Sequence, residues 1–114
     1  MSKHDKMWNL HEKHTKEIAL HPSKSLGLEN ILMSTAEANM FKPNTNDLYH
    51  QPDNILFDYN NWVIYNVEYK CHDTQKHKAV VQLHETARVL RTMFRNYDIV
   101  NLYVHDNYQI EEIQ

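Results

Sequence analysis

Residues 52–70 read PDNILFDYNNWVIYNVEYK, and the fold turns on how this stretch doubles back. Asn54-Ile55-Leu56-Phe57 is a short apolar run, and Asp58-Tyr59-Asn60-Asn61 has the chemistry of a tight turn. Trp62 to Lys70 is rich in β-branched and aromatic residues. The pattern predicts a β-hairpin whose second strand, apolar on both faces at its start, is central in a sheet. That strand nevertheless ends on a carboxylate and an ammonium, Glu68 and Lys70.

Side chains alternate along a strand, so Glu68 and Lys70 share a face with Asn66, Ile64 and Trp62. A two-residue loop at Asn60-Asn61 sets Asp53 opposite Glu68. A four-residue loop from Asp58 to Asn61 sets it opposite Asn66, diagonal to Glu68. Both registers put Asp53 on the face of Glu68 and Lys70, whereas a three-residue loop reverses it. Two carboxylates so close repel unless a proton or a metal lies between them. Oxygen ligands of this kind suit Mg²⁺ or Mn²⁺, with the Tyr69 carbonyl as a further ligand. Lys70 then stands beside the metal, able to act on a water or on phosphate charge. An Asp/Glu-x-Lys triplet is common by chance, and a solvated strand end is the alternative reading.

Outward from the hairpin, Met7, Leu10, His14 and Ile18 predict a weakly amphipathic helix over Asp5–Leu20, ended by His21-Pro22. Ser23–Phe41 reads as a helix with a break, because Ser34-Thr35-Ala36-Glu37 has capping-box spacing. Lys42–Pro52 reads as a loop around a short strand at Leu48-Tyr49, and Cys71–Lys78 as a polar loop. Val80, Leu83, Ala87, Leu90 and Phe94 predict an amphipathic helix. Ile99–Val104, the turn Asp106-Asn107 and an edge strand over Tyr108–Ile113 complete the chain. The class is α/β.

Composition narrows the function. The chain has 114 residues, 41% hydrophobic and 24% charged, which predicts one folded domain. One cysteine, Cys71, rules out an internal disulfide and a Cys-x-x-Cys zinc site; it reads as a small buried residue or a reactive thiol. One glycine, Gly27, rules out phosphate-cradling loops and leaves left-handed turns to asparagine. No apolar run approaches the roughly 18 residues of a membrane span. Met1–Lys6 is charged and no signal-peptide core follows. The expectation is a cytoplasmic protein without membrane contact. His11 and His14 are three apart on the first helix and could share a metal. His72, His77 and His84 add positive charge at mildly acid pH.

The net charge of −3 counts against a nucleic-acid binder, but its distribution does not. Lys76, Lys78, Arg88, Arg91 and Arg95 fall on or near the second long helix, with Asp73 and Glu85 the only acids from Cys71 through Tyr97. They form a candidate phosphate-tracking patch, with a solvated helix face as the alternative.

Pro52-Asp53, fourteen intervening residues and Glu68-Tyr69-Lys70, in the order helix, three-strand meander, helix, strand, resemble the PD-(D/E)xK nuclease superfamily. The resemblance covers roughly residues 23–113, with 1–22 as an N-terminal helical extension and 23–114 as the nuclease-like core. The small size looks most like the archaeal and viral Holliday junction resolvases of that superfamily, then the virus-type replication-repair nucleases. The resemblance implies a restriction-endonuclease-like fold and a metal held by Asp53 and Glu68, with catalytic assistance from Lys70. It also implies a first-helix glutamate, for which Glu29, Glu37 and Glu17 are candidates, and a helix glutamine, for which Gln82 fits. The resemblance implies a Mg²⁺- or Mn²⁺-dependent DNA endonuclease, a homodimer acting on branched DNA, with a viral gene among its expected origins. An end-processing or repair nuclease, and a non-catalytic binding module on the same fold, are the rivals. The acidic balance and near absence of glycine depart from typical resolvases.

Overall fold

The computed structural model describes residues 3–41, 44–45 and 48–114, with side chains from residue 10 onward except 41 and 48–50. Lys42, Pro43, Asn46 and Asp47 of the expected loop lie outside the described residues. The elements run α1 (Lys3–Leu20), α2 (Pro22–Leu26), β1 (Ile31–Ala36), β2 (Met40–Phe41), β3 (Leu48–His50), β4 (Asn54–Asp58), β5 (Val63–Lys70), α3 (Lys76–Met93), β6 (Asp98–His105) and β7 (Gln109–Ile113). Five strands form one mixed sheet in the order β1-β4-β5-β6-β7, and β2 pairs with β3 separately. Only β5 and β6 are parallel, joined through α3 as a parallel pair requires. No helix among the described residues is long and apolar enough to cross a membrane.

The hairpin is β4–β5, and β5 is the central strand. Asp58 pairs with Val63 and Asn54 with Val67. This is the register of the two-residue-loop reading, although the segment outside the strands is Tyr59–Trp62. The Asp58 carboxylate holds the turn, accepting from Asn61 N at 3.0 Å and Asn61 Nδ2 at 2.8 Å.

The alternation of β5 builds two cores. Val67 and Tyr69 join Leu56, Leu102, Val104, Ile18 of α1 and Leu26 of α2 on one face. On the other, Ile64 packs with Ile55 and Leu90, and Tyr103 with Ala79 and Leu83 of α3. Each fully buried aliphatic side chain contributes about 1.5–3 kcal/mol relative to exposure. Helices therefore flank both faces of a mixed sheet, within the α/β class that the sequence predicts. Ile18 lies in the same core as Leu26 and Leu56, so the helix within residues 1–22 packs directly on the sheet.

Buried amides tie the layers. Asn54 Nδ2 donates to the carbonyls of Thr15 and Thr35, each at 2.8 Å. Asn66 Nδ2 donates to Asn101 Oδ1 at 2.9 Å and to the Leu83 carbonyl at 3.0 Å.

Three expectations are corrected. The helix expected over Ser23–Phe41 is the short α2 followed by β1 and β2. Gly27 ends α2 at φ +69, and Asn30 and Glu37 bracket β1 at φ +59 and +53, breaks a helix cannot contain. The docking stripe of α1 is rotated: Leu10 is 43% exposed while Thr15 and Ile18 are buried, because the sheet offers polar partners there. The long second helix starts at Lys76, within the expected polar loop. Ala79 is buried in it and Val80 only half-buried, while Phe94 caps its end.

Candidate functional site

Asp53 immediately precedes β4, and the register extended by one pair sets it opposite Glu68. Both are buried, at 7% and 2% exposure. Burial is costly for a charge without a partner, and the partners are specific. Asp53 Oδ2 accepts from the Tyr69 N–H at 2.6 Å. His11 of α1 brings Nε2 to 3.2 Å from the same oxygen and 3.1 Å from the Tyr69 carbonyl. A carbonyl only accepts, so Nε2 carries the proton. The other ring nitrogen, Nδ1, lies 3.3 Å from Glu37 Oε1, within ion-pair reach but in a geometry that forms no hydrogen bond. Glu37 is fixed by its own N–H, which donates to the Asp53 carbonyl at 2.9 Å.

These contacts set the protonation states. Burial, then the charge of Asp53 and a side-chain hydrogen bond to it, pushes Glu68 up to about 9. Lys70, on the same face, opposes this only in part. Near neutral pH the Asp53–Glu68 pair retains a proton, held in the hydrogen bond between its two carboxyl groups. Burial lowers the His11 pKa, but the hydrogen bond and charge of Asp53 and the charge of Glu37 outweigh it, and the net shift is upward. Burial also pushes the half-buried Cys71 thiol up, with Asp53 and Asp106 adding to it. That is the opposite of a reactive thiolate.

Two carboxyl groups, a backbone carbonyl, an imidazole and a nearby glutamate thus converge at one end of the sheet. Asp53, Glu68 and the Tyr69 carbonyl, predicted from the hairpin, come together. Lys70 is half-buried at the end of β5, beside His105 of β6. Among the described residues, no set of three or more His, Cys, Asp or Glu side chains has metal-holding geometry.

The expected glutamate is placed differently. Glu29 is exposed, accepts from Ser23 Oγ at 2.8 Å, and precedes β1 at the end where Ile31 pairs with Asp58. Asp53 lies at the other end of β4. Glu17 lies on α1 near His14 and Tyr108, whose titrations it influences. Glu37 is the glutamate beside the site, delivered by a strand end. The Gln82 side-chain oxygen is enclosed, with no hydrogen-bond partner. Gln82 sits on α3 between Ala79, which packs with Tyr103, and Leu83; Tyr103 is the register partner of Glu68.

His11 and His14 both lie against the Tyr69 ring but bond different polar groups. His14 stacks on the Tyr69 ring at 4.8 Å, and its Nδ1 lies 2.8 Å from the Tyr108 hydroxyl. Burial, with Lys13 and His11 adding to it, lowers its pKa, so Nδ1 accepts from the hydroxyl. The role of His11 was hidden in the sequence because it depends on α1 docking 42 residues away from Asp53. The one available signal was the alternative stripe His11, Thr15, Ile18.

The basic residues divide between the two ends of α3, which runs antiparallel to β5. Lys76 and Lys78 lie at the site end, where Lys76 Nζ is 2.6 Å from Glu111 Oε1. Arg91 is fifteen residues further along, about 22 Å at helical rise. Arg88, Arg91 and Arg95 are exposed. No family model, curated protein or solved structure matches this chain.

Proposed function

We propose that this protein is a metal-dependent nuclease with a restriction-endonuclease-like core that cuts DNA phosphodiester bonds. The observation that carries the reading is the buried Asp53–Glu68 pair beside the Tyr69 carbonyl, with Glu68 raised to about 9. A proton occupies a place where charge demands a cation. The donor set fits a divalent ion: Asp53, Glu68 and the Tyr69 carbonyl are hard oxygen donors, suited to Mg²⁺ or Mn²⁺. His11 Nε2, which carries its proton, faces two of the same oxygens as a hydrogen-bond donor and orients them.

Asp53, Glu68 and the Tyr69 carbonyl would hold the ion, which supplies Lewis acidity and a water of lowered pKa. His11 and the Tyr69 N–H fix the Asp53 carboxylate. Lys70 places an ammonium next to Glu68, where it offsets charge developing on a phosphate. Branched DNA and a homodimer presenting two sites to two strands are the finer form of the proposal. A second reading, a non-catalytic binding module, is favoured by the same network: His11 and Tyr69 already satisfy Asp53 with protein donors.

The test combines cleavage with calorimetry. Four-way, flapped and linear DNAs are incubated with the protein and Mg²⁺ or Mn²⁺, and each ion is titrated into wild type and Asp53→Asn. Cleavage and metal binding that both vanish in Asp53→Asn support the nuclease. Wild type that binds neither ion and cuts none of the DNAs leaves the binding module.

A further inference from the structure

The other end of the sheet carries a second constellation. Tyr59 and Trp62, in the turn between β4 and β5, are 54% and 48% exposed. Their rings lie 5.8 Å apart with planes 36° apart. They are not loose. Trp62 rests on Tyr97 at 5.2 Å, and Tyr97 on Phe57 and Phe94 at 6.5 and 6.0 Å. The Trp62 carbonyl accepts from Asp98 N at 2.9 Å. Trp62 also has φ +56, a left-handed conformation that a bulky residue adopts at a cost of about 1–3 kcal/mol. A large aromatic ring is thus held in water on a strained backbone, where glycine would carry none of that cost and asparagine less.

Exposed arginines neighbour the aromatic base in the chain. Arg95 lies in the turn from Phe94 to Tyr97, whose two ends both belong to the aromatic base. Arg91 is one helical turn earlier, and Arg88 one turn before that. These arginines make no ion pair among the described residues. Of the nearby acids, Asp58 is buried against Asn61, and Asp98 is the exposed one. Aromatic faces flanked by arginine match the planar bases and phosphates of an unpaired strand. They match a duplex poorly, because its bases are already stacked. We propose that the Tyr59–Trp62 tip, with Arg91 and Arg95, is a docking surface for single-stranded nucleic acid.

The tip is separate from the carboxylate pair: Trp62 and Glu68 are six residues apart on an extended strand, about 20 Å. Binding there needs no divalent cation and is read apart from cleavage. In EDTA at low salt, fluorescein-labelled dT15 and rU15 are titrated with the full-length chain and compared with a 15-base-pair duplex. The two single strands separate DNA from RNA preference. At least one should bind more tightly than the duplex, and its unlabelled form should quench wild-type tryptophan emission. Trp62→Phe, which leaves Trp8 as the only tryptophan, should bind nearly as well and lose the quenching. Trp62→Ala and Tyr59→Ala should each weaken binding about 5- to 150-fold, the range for one lost base stack. Arg91→Ala with Arg95→Ala should reduce the salt slope by roughly 1.4, two phosphate contacts on a single strand. The proposal is overturned if neither single strand outbinds the duplex, or if both aromatic alanine variants bind as wild type does. It is also overturned if Trp62 emission changes with protein concentration alone, which would assign the surface to a second copy of the chain.

Discussion

Replacing Glu68 by glutamine should stabilise the protein in mild alkali and leave it nearly unchanged in acid. Glutamine keeps the shape of the side chain and a donor for Asp53, but cannot ionise. In the folded protein, burial and the charge of Asp53 lift Glu68 from its ordinary 4.5 to about 9. The unfolded chain releases that proton near the ordinary value. The stabilisation is therefore fully present below pH 4.5 and is lost as the pH rises toward 9. Between pH 5 and 8 the loss is up to about 4 kcal/mol, at about 1.4 kcal/mol per pH unit. At about 4 °C per kcal/mol for a chain of this size, the Tm of Glu68→Gln should exceed that of wild type by on the order of 10 °C at pH 8. Circular-dichroism melts of both proteins in EDTA at pH 5 and pH 8 measure the difference. Added Mn²⁺ should narrow the gap at pH 8 by stabilising wild type alone. A gap of the same size at both pH values, or a variant less stable than wild type at pH 8, would falsify the shared-proton description of the site.

His11→Ala should cost about 1.5–3 kcal/mol at pH 6, the worth of hydrogen bonds to a charged group. Because the His11 pKa is raised on folding, its contribution is full below 6.5 and fades as pH rises through the folded value. Urea denaturation should therefore show a smaller cost at pH 9, and an equal cost at both pH values counts against the imidazolium. Asn54→Ala removes both bonds from Nδ2 and should lower the urea midpoint by the equivalent of about 1–3 kcal/mol with m unchanged; an unmoved midpoint would mean those carbonyls find water. Lys70→Ala should reduce DNA cleavage at least about 100-fold while shifting Tm by less than about 3 °C. A large loss of stability instead would make Lys70 a structural partner of the buried carboxylates.

The hairpin was legible because its signals are local. Apolar runs, a polar turn and β-branched residues lie within nineteen positions, and period-two facing fixes which carboxylates meet. The β5–α3–β6 crossover was legible for the same reason, from α3's spacing and the apolar run of β6. β1 was misread because its sequence suits two structures. Leu28, Ile31, Leu32 and Met40 fit a helix face, but Leu32 and Met33 are exposed on an edge strand, so hydrophobicity did not report burial there. His11 was illegible as an Asp53 partner because only the docking of α1 brings them together. Local pattern also could not choose among the glutamates. Glu37 joins the site through its main-chain bond to Asp53, a tertiary fact.

The amide bridge between Asn66 and Asn101 has a consequence for fidelity of assembly. The parallel strands β5 and β6 are mostly apolar, and sliding one past the other by two residues would keep every side chain on its own face. Hydrophobicity alone tolerates that error. A slip of two would carry Asn66 away from Asn101 and strand two amides in a dry interior, costing about 1–3 kcal/mol for each unmet group. The pair acts as a keyed joint, accepting one alignment among several greasy ones. That alignment seats Glu68 beside Tyr103 and Lys70 beside His105, so two neutral residues in mid-sheet govern where the charged end of the strand comes to rest.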